Sequence, residues 1–224
     1  DFQGDFLIAG YYARNIARLR PSVNGAGHKL QTLAPILTSS HNAFRPVDLN
    51  TGPDGALYVA DWFNPIIGHY QASLRHPDRD KKHGRIWRIT AKGAPLLKPP
   101  TLAKMNAAQL CNQLVAPHRR TRQLAKLRLM DLPKAEAIAA TQQWVDALKP
   151  TDPALEAKLF EAIGVFESHE VVNRPLLERL LAAKDYRARA YATRVVGRWH
   201  DRLKNPLTLL HSSATDEHLR VRLE

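Results

Sequence analysis

The sequence predicts a two-part chain, β structure first and α-helix after it, and three observations carry that prediction. Up to about residue 94, apolar and polar positions alternate in short runs separated by Gly, Pro, Asn and Asp, the period-two signature of strands. Residues 94–100 (APLLKPP) then crowd three prolines together. Proline fixes φ and removes a backbone donor, so neither sheet nor helix passes through such a stretch. From Thr101 onward the apolar positions recur at helical spacing, and loosely similar helix pairs follow one another. The predicted domains are therefore 1–94 for the β part, 95–100 for a proline-rich linker and 101–224 for helices.

Within the β part, residues 5–11 (DFLIAGY) and 16–20 (IARLR) read as strands joined at Arg14-Asn15. Asn24-Gly25-Ala26-Gly27 turns into a third strand over 28–33, the cadence of an antiparallel meander. The next stretch is the most informative. Runs at 47–51 and 56–61 flank Gly52-Pro53-Asp54-Gly55, and Asp-Gly between such runs is a strong hairpin signal, because Gly supplies the positive φ the turn needs. Residues 85–90 (RIWRIT) form a further strand. The connection over 62–84 far exceeds the roughly 2–5 residues of a hairpin loop, and loops of that length usually carry function.

Strand direction places the chemistry. Arg45, Asp61, Asn64, His69 and Arg85 all fall at the end of the sheet opposite the Asp54-Gly55 turn, together with Trp62. A rim rich in charge and imidazole there is a candidate ligand site. His69, His76 and His83 are evenly spaced but fit no compact metal motif, so they read as loop-ordering groups. The Asp78-Arg79-Asp80 run lacks the oxygen-ligand and Gly pattern of a calcium loop. Arg45 offers a planar fork to a carboxylate, or else an ion pair with Asp48 or Asp61.

The helical part pairs residues 106–116 with 118–132, 133–149 with 152–168, and 173–184 with 186–201, and a further pair begins at Asn205-Pro206. Asp152-Pro153 reads as an N-cap followed by Pro at the first helical position. Leu155, Leu159, Ala162, Ile163 and Phe166 lie on one stripe, and Ala188, Ala192, Val195, Val196, Trp199 and Leu203 on another. One-faced helices must stack to bury such stripes. Arg187, Arg194, Arg198 and Arg202 line one flank of a single helix, the best anion-binding stripe in the chain.

The net charge of +12 is divided evenly between residues 1–100 and 101–224, whereas a nucleic-acid binder concentrates its excess on one element. The lone Cys111 excludes an internal disulfide framework and any Cys-x-x-Cys haem or metal motif. No apolar run approaches the roughly 18 residues of a membrane span. The chain begins at Asp1 and not Met, which reads as an excerpt or a processed chain.

RPVDL-x-x-GPDGALYVADW, NPIIGH and R-x-PDRD-x-x-HGRIWR are together similar to the planctomycete-type membrane-bound dehydrogenases, a family that resembles the soluble PQQ-dependent glucose and sorbosone dehydrogenases. The resemblance implies that the β part is the last one to two blades of a six-bladed β-propeller and that the helices are HEAT-type repeats. It also implies an extracytoplasmic (periplasmic or secreted) quinoprotein oxidising a sugar or polyol, with PQQ as cofactor. Arg45, Asp61, Asn64, His69 and Arg85 are then the cofactor-binding candidates. The helices would dock an electron-acceptor protein or a cytochrome module, any c-type haem lying outside this chain. The catalytic base would precede residue 1, so this stretch alone would be inactive. Two other classes fit the same residues: a non-enzymatic scaffold binding glycan or protein, and a basic helical repeat binding nucleic acid.

Overall fold

The structure is a computed structural model and describes residues 4–67 and 75–224. The chain divides into two compact units, the boundary falling between Lys98 and Pro99.

The β unit holds two separate antiparallel sheets, each of three strands in sequential order. The first comprises β1 (Phe6–Gly10), β2 (Asn15–Asn24) and β3 (Gly27–Thr38), and the second β4 (Pro46–Thr51), β5 (Leu57–Asp61) and β6 (Arg85–Ile89). This corrects the expected architecture. A propeller blade is a four-stranded sheet repeated around an axis. The described residues instead form two three-stranded sheets followed by eight α-helices, with no closed barrel or propeller. The β2–β3 hairpin is also longer than the sequence suggests. β3 continues through Pro35 to Thr38, which an edge strand tolerates because it has a side with no ladder donor to supply.

Local chemistry explains each joint of these sheets. Gly55 adopts φ 81°, and the Asp54 carboxylate accepts from the Ala56 amide at 3.1 Å, closing the turn between β4 and β5. Arg88 on β6 reaches across to Asp54, donating from Nε at 2.8 Å and Nη2 at 2.6 Å. Asp5, just ahead of β1, accepts from Arg18 at 2.5 Å and Arg20 at 2.9 Å on the neighbouring strand. Those two guanidiniums, Arg20 first, overcome the penalty of burial and hold the Asp5 carboxyl down at about 2.

An acid response follows. Asp5, Asp54, Asp61 and Asp80 all titrate below the ordinary carboxylate range in the fold. A depressed carboxyl stabilises the native state above its unfolded value of about 3.9, and that stability drains as pH falls towards the folded value. The urea midpoint of the β unit is expected to hold from neutrality to about pH 5 and to fall steeply between about pH 4 and 2. A midpoint unchanged across that lower window would contradict these pairings.

In the helical unit, α1 (Ala107–Gln113), α3 (Lys134–Asp146), α5 (Arg174–Leu181) and α7 (Pro206–Ala214) alternate with α2 (Arg119–Asp131), α4 (Leu155–Ser168), α6 (Tyr186–Arg198) and α8 (Leu219–Leu223). Asn106 and Gln109 form a full capping box on α1, and Asn173 and Asp185 cap α5 and α6 through their side chains. α4 starts two residues later than Asp152-Pro153 suggests. Asp152 instead closes a tight turn, accepting from the Ala154 amide at 2.8 Å and from Lys158 at 2.6 Å. The two stripes pack as one core around Trp199, with Leu159, Ile163, Phe166, Val195 and Val196 almost wholly buried.

A repeated device links the pairs. Arg122 donates from Nη1 to the Ala116 and Pro117 carbonyls at 2.8 and 3.0 Å, and Arg189 does the same to Ala183 and Lys184, both at 2.9 Å. Arg222 reaches the Asp216 and Glu217 carbonyls in the same way. In each case an arginine in the first turns of the second helix satisfies carbonyls of the turn that follows the first helix.

Candidate functional site

Asp61 organises the end of the second sheet. It is the last residue of β5, on the same face as the fully buried Val59, because side chains two apart on a strand point the same way. Cross-strand register puts Arg85 opposite Asp61 and Trp87 opposite Val59. The Asp61 side chain is wholly buried, yet it is fully partnered. Oδ1 accepts from the Arg45 amide at 2.8 Å and the Phe63 amide at 3.0 Å. Oδ2 accepts from Arg85 Nε at 2.9 Å and the Trp87 indole at 3.0 Å. Burial alone would raise its pKa, but these hydrogen bonds and the Arg85 charge win, so the carboxyl sits below its ordinary value.

Asn64 and Arg85 are likewise spent on the protein. Asn64, 2 % exposed, accepts from the Ile66 amide at 3.1 Å and donates to the Asp80 carbonyl at 3.2 Å, pinning one end of the long loop to the other. Arg85 packs its guanidinium over the Phe63 ring at 3.8 Å while bonding Asp61. Phe63 is held at φ 52°, a left-handed conformation unusual for an aromatic residue. The hydrogen bond its amide donates to Asp61 and the cation over its ring hold that backbone.

Arg45 behaves differently. It is 6 % exposed, and its guanidinium donates from Nη1 to the Phe44 carbonyl at 3.0 Å. Its Nε is buried with no acceptor among the described residues. Neither Asp48 nor Asp61 forms an ion pair with it among the described residues; Asp61 takes the Arg45 backbone amide instead. Burial, and then the nearby Arg14 charge, disfavour its cation. Beside it, Tyr11 stacks on Trp62 with centroids 6.0 Å apart, and Tyr12 packs edge-on against Tyr11. Burial pushes the Tyr11 phenol up, while the charges of Arg45 and Arg79 pull it the other way.

Of the five candidates, then, the structure brings together Arg45, Asp61 and Arg85 and holds Asn64 beside them, and His69 lies outside the described residues. Trp87 and Phe63 belong to the same cluster and were not picked out from the sequence. The signal for Trp87 was its alternation with Arg85, which puts both on the Asp61 face. His76 and His83 are loop-ordering groups: the Asp78 amide donates to His76 Nδ1 at 3.2 Å, and His83 Nδ1 lies 2.8 Å from Asp80. No cluster of three potential metal ligands occurs among the described residues.

The arginine flank of α6 is also consumed internally. Arg187 pairs with Asp185, Arg194 with Glu224, Arg198 with Glu167 and Arg202 with Glu170. Cys111 is buried, and burial pushes its thiol pKa up, which fits packing and not reactivity. No helix is long and apolar enough to cross a membrane among the described residues.

Residues 14–93, which contain the whole Arg45–Asp61–Arg85 cluster, match a family model described as a domain of unknown function, DUF7133. No curated protein and no solved structure is similar enough to match.

Proposed function

We propose that the β unit is a binding module that seats a carboxylate-bearing ligand at Arg45. One observation supports this above the others: a guanidinium 94 % removed from solvent keeps an Nε–H without an acceptor, while the adjacent Asp61 is already saturated. A buried unpaired donor on a charged group costs on the order of 1–3 kcal/mol, which an arriving anion would relieve. The resemblance of the sequence points to pyrroloquinoline quinone, which carries three carboxylates. The residues present fit one of them, at Arg45, with the Tyr11–Trp62 stack as a neighbouring aromatic surface. They do not form a cage, because Asp61, Asn64 and Arg85 are committed to the sheet and loop. The wider reading, part of an extracytoplasmic dehydrogenase for a sugar or polyol with helices that dock an electron acceptor, rests on that resemblance.

Titration of the chain with pyrroloquinoline quinone, and separately with citrate, tests the reading. Arg45→Lys keeps the charge and loses the planar fork, so affinity should fall by about 1–3 kcal/mol with the melting temperature little changed. Unaltered affinity with a lower melting temperature would leave Arg45 a structural residue of the sheet end.

A further inference from the structure

A groove lies beside the Asp61 cluster, and it is built from residues other than Arg45. It is a groove of about 810 Å³ between residues 41–43 and the 76–83 part of the long loop. That volume falls within the roughly 300–1,000 Å³ of small-molecule sites. Its apolar surface comes from Phe63, Pro65, Ile66 and Pro77, and two lysines and two imidazoles stand among its walls.

The walls are held in place by contacts within the β unit. Phe63 is fixed by the Asp61 hydrogen bond to its amide and by Arg85 over its ring. His41 stacks on Phe63 with centroids 5.6 Å apart, and His83 meets the ring edge at 6.4 Å. His41 is oriented by the Ala43 amide, which donates to its Nδ1 at 3.1 Å. Asn64 ties the far wall through the Asp80 carbonyl. The groove is therefore framed by structural contacts and does not depend on a ligand for its shape.

Arg79, Lys81 and Lys82 stand against Asp78 and Asp80 in its lining, so the cations outnumber the carboxylates. The Asp80 carboxylate is committed to the Lys82 and His83 amides, at 2.9 Å each, and to the His83 ring. The Asp78 side chain is 71 % exposed and stands 4.0 Å from His76. Lys81 and Lys82 form no ion pair among the described residues. An apolar floor offers nothing to the hydroxyls of a neutral sugar, whereas the rim offers unneutralised cations.

We propose that this groove binds a small organic anion carrying an apolar ring, its ring on the Phe63–Ile66 floor and its carboxylate towards Lys81 and Lys82. The site is separate from Arg45, and neither proposal depends on the other. Naphthalene-2-carboxylate is the probe, with uncharged 2-naphthamide and ringless acetate as comparisons, titrated into the whole chain by calorimetry and by NMR. The carboxylate should saturate and shift the His41 and His83 ring signals, and both comparisons should bind at least about tenfold more weakly. The exposed double substitution K81Q/K82Q should weaken the naphthoate by about tenfold or more and leave the naphthamide unaffected. Arg45→Met should leave naphthoate binding as in the wild type. Absence of saturation, or equal affinity in K81Q/K82Q, would overturn the proposal. Loss of naphthoate binding in Arg45→Met would place the anion at Arg45 and overturn it too.

Discussion

Asp61→Ala is expected to unfold much of the second sheet end, at a cost of about 3–5 kcal/mol. The substitution strips partners from four donors at once: the Arg45 and Phe63 amides, the Arg85 guanidinium and the Trp87 indole. Arg85 would then be a partly buried cation without its counter-ion, the costliest of the four. Phe63 would lose the bond that holds its left-handed backbone. Asp61→Asn should not rescue the fold. The amide keeps one acceptor oxygen, but its NH₂ group must face either the two backbone amides or the Arg85–Trp87 pair, setting donor against donor. Small domains have only about 5–15 kcal/mol of stability, so this single loss is a large fraction of the whole. The four tryptophans supply the readout, since Trp62 and Trp87 report on the β unit and Trp144 and Trp199 on the helices. With 5-fluorotryptophan, the ¹⁹F lines of Trp62 and Trp87 should move and broaden, and the first urea transition should shift down. Unmoved lines and an unshifted transition would show that Asp61 is not what holds this end together.

What could be read from the sequence divides along the range of the interactions. The Asp54-Gly55 turn and the convergence of Arg45, Asp61, Asn64 and Arg85 at the opposite end follow from local alternation and strand direction. The buried stripes of α4 and α6 follow from helical spacing. Strand number does not. A three-stranded meander and part of a propeller blade share the same alternation, and only pairing between distant segments distinguishes them. Pro21 and Pro35 show the same limit in miniature, because a strand accommodates proline only where that stretch lacks a partner on one side, which is a property of the whole sheet. At the candidate site, spacing assembled the polar residues but could not say which were already spent. Asp61, Asn64 and Arg85 looked like ligands and are the frame; Arg45 Nε, and Arg85 Nη2 beside its Asp61 pair, are the buried donors left unmet. The arginine flank of α6 misled for a related reason, since its carboxylate partners on α4 and near α8 lie about 25–35 residues away, beyond any pattern within one helix.

Arg189 should be the most costly arginine to remove from the helical unit, and its neighbours in the repeat make the argument testable. Its side chain is 13 % exposed and its donors are all placed. Nη1 bridges the Ala183 and Lys184 carbonyls, Nε and Nη2 grip Asp216 at 2.7 and 3.0 Å, and Nη2 also reaches Glu217 at 3.4 Å. Arg189→Met keeps the aliphatic stem and deletes every one of those bonds. It strands the Asp216 carboxylate, whose pKa Arg189 holds down, together with two carbonyls in the α5–α6 turn. Breaking one side of such a desolvated pair typically costs about 3–5 kcal/mol. Arg189→Lys retains a charge but not the fork, so it cannot reach both the carbonyls and the carboxylate, and a loss of about 2 kcal/mol is expected. Arg122 makes the same bridge to Ala116 and Pro117 with no carboxylate behind it, so Arg122→Met should cost only about 1–2 kcal/mol. Urea unfolding should therefore rank the variants Arg189→Met, Arg189→Lys, Arg122→Met in order of falling damage. Hydrogen exchange should speed up first at the α5–α6 turn in the Arg189 variants. Equal losses at Arg189 and Arg122 would mean that the Asp216 pair contributes nothing beyond the shared carbonyl bridge.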